Sequence, residues 1–328
     1  MNKQLIEENQ GILHQMNQHI KKIIILVLGV VCVQPFLTGC STVNADKADV
    51  DGEQNSTEML LKSAGLSADS VDEALSKAAK ATQEGQMDLA QLFYVKAYEL
   101  EPKNSIVLQK MTDLYMQLGK NELAEVSLKI IVDQQPKNLK VLEQYGLLLL
   151  KDRKYALAKA TLEQVVAKQQ SWSAYNGLGI IANVQGEFPK AEALFRKADT
   201  ILPNSPELLN NIGFALYSAY RFPEALAYYS KALQINPNFK KAIYNYALLQ
   251  ARLGKYDIAY DAFVKVASEE EANNNVGYIA MERGDYKKAN NYFQEAIRLS
   301  PEYYKKANDN LKRLAILEKR GHESAPSN

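Results

Sequence analysis

Over residues 71–303, small, bulky apolar and polar positions recur in a frame of 34 residues that proline punctuates. Pro102 and Pro136 stand 34 residues apart, as do Pro203 and Pro237, and Pro301 closes the series. With each proline at position 32 of a unit, position 20 is Ala90, Ala124, Ala158, Ala191, Ala225, Ala259 and Ala289. Position 8 is Ala78, Thr112, Gly146, Gly179, Gly213, Ala247 and Gly277, and position 24 is Tyr94, Leu128, Leu162, Phe195, Tyr229, Phe263 and Phe293. Position 15 is glycine in five of the seven units, at Gly85, Gly119, Gly186, Gly254 and Gly284. A period of this length marks a stack of supersecondary units. Each unit reads as two helices, A and B. Small residues at 8 and 20 let the backbones approach where the helices cross, and bulky residues at 4, 7, 11 and 24 fill the space beside them. Glycine at 15 ends helix A, and proline at 32 stops helix B. Ser205-Pro206-Glu207 supplies a cap, an N1 proline and a first-turn acid. Ser268 and Glu271 form a capping box for the last unit.

This pattern resembles the tetratricopeptide repeat (TPR), over about residues 71–303. The resemblance implies an all-α TPR solenoid of seven helix–turn–helix repeats in a right-handed superhelix. Repeat 3 (139–171) lacks one residue of the frame and repeat 6 (240–269) lacks four, and both lack the proline. The shortening predicts drift in a turn, or a local change of pitch near Ser268. After Pro301, the residues Tyr304, Ala307, Leu311, Leu314 and Ala315 share one helical face. Lys305, Lys306, Lys312, Arg313, Lys319 and Arg320 lie largely off it. Residues 304–320 therefore read as the solvating helix that ends a repeat array, and 321–328 as a disordered polar tail.

The N-terminus has a different pattern. Lys21-Lys22 precede the apolar run Ile23–Val33, which matches the basic and apolar regions of a secretory signal. The run is shorter than the roughly 20 residues of a membrane-spanning helix. Leu37-Thr38-Gly39-Cys40 follows and resembles the bacterial lipobox, which implies cleavage before Cys40 and lipidation of its thiol. The signal peptide is then 1–39, with translation starting at Met1 or Met16. Ser41 after the lipidated Cys implies sorting to the outer membrane, facing the periplasm. Several acyl chains make such an anchor stable where one would not. Residues 41 to about 68 are poor in large apolar side chains and read, with Cys40, as a flexible tether over 40–70. Its mean reach is on the order of 30 Å.

Composition narrows the chemistry. Lys+Arg is 39 and Asp+Glu is 38, so no sequence-wide electrostatic footprint points to nucleic acid. His14, His19 and Cys32 precede Cys40, and His322 lies in the tail, so the repeats contain neither histidine nor cysteine. Histidine bases, cysteine nucleophiles, zinc sites and disulfides are excluded there. Gly177-Leu178-Gly179 fits a loose dinucleotide-binding pattern, but it lies inside a helix A without the strand that the motif requires. Glu269-Glu270-Glu271 opens a helix, where acids suit the dipole. The reading is of a non-enzyme with no cofactor and no metal.

What remains is a surface. In TPR proteins positions 2, 5, 9 and 12 of helix A line the concave groove. The candidates for peptide binding are Asn176, Asn210, Phe214, Tyr217, Tyr244, Asn274 and Tyr278, with Ile180, Leu248 and Met281 at equivalent positions. They describe a groove lined by aromatics and amides and free of charge. Asn211, Asn245 and Asn275 recur at position 6, where TPRs often carry a structural Asn. No repeat has the Lys and Asn pair of chaperone-binding TPRs. The segment Asn273–Tyr286, continuing through Tyr292–Leu311, with the lipobox and upstream repeats, resembles the TadD-type lipoproteins of tight-adherence (Flp) pilus systems. That resemblance implies a pilotin-like scaffold for a secretin or for pilus subunits. Related alternatives are the pilotin of type IV pili, or an adaptor that docks cell-wall enzymes or polymer exporters.

Overall fold

The structure, a computed structural model, describes residues 67–300 and 305–323. The described residues form fifteen α-helices. The A and B helices of the seven repeats are α1 (Val71–Gln83) and α2 (Met87–Leu100), α3 (Ser105–Gln117) and α4 (Asn121–Gln134), and α5 (Leu139–Lys151) and α6 (Tyr155–Val166). They continue as α7 (Trp172–Val184) and α8 (Phe188–Ile201), α9 (Pro206–Ser218) and α10 (Phe222–Ile235), and α11 (Lys240–Arg252) and α12 (Tyr256–Phe263). The last repeat is α13 (Glu269–Glu282) and α14 (Tyr286–Leu299), followed by α15 (Lys305–Glu323). Cys40, the signal segment and the tether up to residue 66 lie outside the described residues, as do Pro301–Tyr304 and the end of the tail.

The residues form two compact units that divide within α6, after Thr161. In the first, Met111, Leu108 and Leu128 are fully buried in a core that also takes Ala68. The ordered fold therefore starts before residue 71: Ala68 is 2% exposed, and Ser70 caps α1 by accepting from the Glu73 N–H. In the second unit each helix packs on its successor, and the A helices also pack on one another, α7 on α9, α9 on α11, α11 on α13 and α13 on α15. Its core centres on Phe195, Tyr229, Phe263 and Phe293, the position-24 residues.

The turn at position 15 is built as its glycines require. All five have positive φ, from +70° to +83°. In repeats 3 and 5 the same left-handed conformation falls on Arg153 (φ 59°) and Tyr220 (φ 60°), where a Cβ is strained. In three repeats position 16 then reaches back to position 21 of the preceding repeat. Lys120 Nζ donates to Gln91 Oε1 at 2.7 Å, Lys154 Nζ pairs with Glu125 at 2.7 Å, and Arg221 pairs with Glu192 at 2.5 Å.

Helix α12 is only 8 residues long, and Val264–Ala267 turn directly into the Ser268 cap of α13. The four missing residues are thus taken from the end of helix B. At the C-terminus, Ala307 and Leu314 are buried, with Leu311 and Leu317 packed beside them. Ala315, expected on that face, is exposed, because the buried stripe runs through 307, 311, 314 and 317. The helix continues to Glu323, three residues beyond the expected boundary at 320.

Candidate functional site

A cleft of about 460 Å³ lies between α9 and α11 in the second unit. Asn210, Asn211 and Phe214 line it from α9, Lys240, Lys241, Tyr244 and Asn245 from α11, and Val266 from the turn after α12. Helix geometry explains the set: residues four apart share a face, so Asn210 and Phe214 stack on one wall and Lys240 or Lys241 stands one turn from Tyr244 or Asn245 on the other. Phe214 and Tyr244 are 39% and 40% exposed, a large apolar area left open on two neighbouring helices. Tyr244 is fixed by an edge-on contact with Phe263, ring centroids 5.2 Å apart. Partial burial, and then the charge of Glu271, holds its phenol above the usual tyrosine range, so it stays a neutral donor and acceptor at neutral pH.

The floor of the cleft is a ladder of asparagines. Asn211 Nδ2 donates to Asn176 Oδ1 at 2.9 Å, and one repeat further on Asn245 Nδ2 donates to Asn210 Oδ1 at 2.9 Å. Asn210 Nδ2 in turn donates to Asn211 Oδ1 at 3.3 Å. The rule is position 6 of one repeat onto position 5 of the repeat before. The last rung uses the cap, where Asn310 Nδ2 donates to Asn274 Oδ1 at 3.0 Å. Asn176, Asn210 and Asn274 are accordingly buried, at 8%, 4% and 6% exposure. Their amides clamp repeat to repeat, as buried polar groups must find partners.

The structure therefore brings Asn210, Phe214 and Tyr244 together and leaves four candidates elsewhere. Asn176 and Asn274 are rungs of the ladder. Tyr217 is half-buried, stacked on Phe214 at 6.4 Å between centroids and tilted against Phe222 at 5.6 Å. Tyr278 is 39% exposed but lies under the Arg313 guanidinium, 5.7 Å from its ring centre. The expectation of an uncharged groove is corrected by Lys240 and Lys241, both exposed and both without an ion pair or hydrogen bond among the described residues. They occupy positions 1 and 2 of helix A, where the sequence reading attended only to aromatics and amides. Val266 was also missed. Its signal is the four-residue deletion, which turns position 27 out of helix B and onto the cleft. Helix α11 further differs from the other A helices in having Phe239 as its N-cap, with no side-chain bond to its first turn.

Sequence profiles of the tetratricopeptide repeat match residues 144–206, 206–239 and 270–303. The chain carries tetratricopeptide repeats over these residues. Repeats of this type are protein-interaction scaffolds. Among solved structures, a tetratricopeptide-repeat protein from Parabacteroides merdae superposes with a TM-score of 0.58 at 17% identity, covering 76% of this TPR chain and all of that one. The type IV pilus biogenesis factor PilW superposes with a TM-score of 0.48 at 17% identity, over 75% of this chain and all of that one. The peroxisomal targeting signal receptor of Kluyveromyces lactis is 29% identical over 98 residues, 30% of this chain. The match spans only 17% of that receptor's length. At 17% identity the likeness to the Parabacteroides merdae protein shows the fold alone.

Proposed function

We propose that this TPR protein is a non-catalytic scaffold that binds a peptide segment of a partner protein in the cleft between α9 and α11. The observation that carries the reading is the pair Phe214 and Tyr244, two aromatics left open on facing walls above a floor of satisfied amides. Aromatic anchors in pockets contribute most of the energy at protein interfaces. The asparagine floor keeps the two helices at a fixed spacing, so the site is formed before its ligand arrives, which lowers the cost of binding.

The setting we propose is the outer membrane of a bacterium. The lipobox-like Leu37–Cys40 would anchor the chain there through lipid on Cys40, and the tether would hold the repeats in the periplasm. The resemblance of Asn273–Leu311 to tight-adherence pilus lipoproteins makes a secretin or a pilus-machine subunit the proposed partner. A strain lacking the protein should then lose secretin multimers or surface pili. The wild-type gene should restore them, and a Phe214→Ala, Tyr244→Ala gene should not. Full pilus assembly in the deletion strain would refute the role.

A further inference from the structure

The cleft has a charge that its aromatic walls do not account for. Lys240 and Lys241 stand side by side at its edge, exposed and unpaired among the described residues. Other cations of this fold are paired, Lys154 with Glu125, Arg221 with Glu192 and Glu224, and Arg313 with Glu282, whereas these two are adjacent, open and on the rim of the cleft. The first turn of α11, from which both lysines project, has no capping side chain, so its N–H groups add positive field at the same place. The carboxylate felt at Tyr244, one turn along the same helix, is that of Glu271, which makes no ion pair with either lysine. Two free ammonium groups at the start of α11, one turn from Tyr244 and across the cleft from Phe214, form a mixed site that is cationic at its edge and apolar within.

We infer that the cleft selects peptide segments in which a carboxylate side chain lies beside a large apolar one. The apolar side chain packs between Phe214 and Tyr244, and the carboxylate meets Lys240 and Lys241. The inference rests on the peptide-binding reading and specifies its ligand. Exposed charge pairs add little affinity each, but they set partner choice and association rate. The lysines are therefore specificity elements and the aromatics the anchors.

The test is a selection of random dodecapeptides displayed on phage against the full chain and against three variants of it: Lys240→Glu with Lys241→Glu, Lys240→Gln with Lys241→Gln, and Phe214→Ala. Circular dichroism melts confirm that each variant is folded; the lysines are exposed, so the two charge variants should melt as wild type does. Wild type should enrich Asp or Glu within a few residues of Leu, Ile, Phe or Tyr. The double-Glu variant should lose those peptides and enrich Lys or Arg instead. Selected peptides should bind the double-Gln variant about tenfold more weakly, the effect of two exposed ion pairs lost together. Peptides that depend on Phe214 but bind both charge variants as well as wild type would overturn this inference and leave the groove reading standing. Peptides indifferent to all the variants, or no enrichment at all, would overturn it too, and indifference to Phe214→Ala would count against the groove as well.

Discussion

Gly213 of α9 lies against the ring of Tyr229 in α10: a Cβ added at Gly213 would stand 2.7 Å from Tyr229 Cε1, closer than such atoms approach. The same pairing recurs at Gly179 with Phe195, at 2.5 Å, and at Gly277 with Phe293, at 2.9 Å. Position 8 gives up its side chain so that position 24 can place an aromatic ring in the crossing of the two helices. This accounts for glycines in mid-helix, where each costs about 1 kcal/mol relative to alanine.

It follows that Gly213→Ala, which improves helix propensity, should nonetheless destabilise the second unit. Tyr229 is 1% exposed and has nowhere to swing. Overpacking of this kind costs typically 1–3 kcal/mol. Chemical denaturation of the full chain should show the loss, and pairing Gly213→Ala with Tyr229→Leu should recover part of it. Unchanged stability in the single variant would show that the ring is free to move.

The asparagine ladder makes a second prediction. Asn211→Ala removes the donor to Asn176 and leaves a buried carbonyl oxygen without a partner. An unsatisfied buried polar group costs about 1–3 kcal/mol. Because coupling in a repeat array runs between neighbours, hydrogen exchange should quicken in α7 and α9 while α13 and α14 keep their protection. Equal quickening throughout the second unit would argue against a local clasp.

Tyr220 offers a substitution in the opposite direction. It holds φ at 60° where five other repeats use glycine, and its side chain is 81% exposed. Tyr220→Gly should relieve a left-handed strain of about 1–2 kcal/mol per residue, less the edge contact with Phe222. A melting temperature a few degrees higher is expected, and Tyr220→Ala should give no such gain. A Gly variant less stable than wild type would mean that the Phe222 contact outweighs the strain.

Cys40 tests the proposed location. Expressed in a bacterium with an outer membrane, the protein should take up radioactive palmitate and sediment with that membrane, and Cys40→Ala should do neither. Label persisting in the Cys40→Ala strain would place the lipid elsewhere or show the lipobox reading to be mistaken.

Much of the fold was legible in the chain because its determinants are local and repeated. Ala at 20, Gly at 15 and Pro after helix B each act within one repeat, and seven copies make the pattern unmistakable. The site was harder to read because it depends on what a neighbouring repeat supplies. Asn176 and Asn210 sit at a groove position, but the position-6 Asn of the next repeat captures their side chains and draws them under the surface. Tyr217 was read as open, yet the turn brings Phe222 onto it. Lys241 and Val266 reach the cleft through the start of one helix and the truncation of another, neither of which a hydrophobic pattern reports.

The central claim is that the cleft between α9 and α11 holds a partner's peptide, and site-directed photocrosslinking in living cells tests it most directly. Benzoylphenylalanine would be placed at Phe214, inside the cleft, and at Lys231, exposed on helix α10 and outside the set that lines the cleft. Irradiation should join position 214 to a defined segment of a secretin or pilus-machine subunit, identified by mass spectrometry, with little adduct from position 231. Adducts to that subunit from 231 but not from 214 would contradict the account and move the interface to another face.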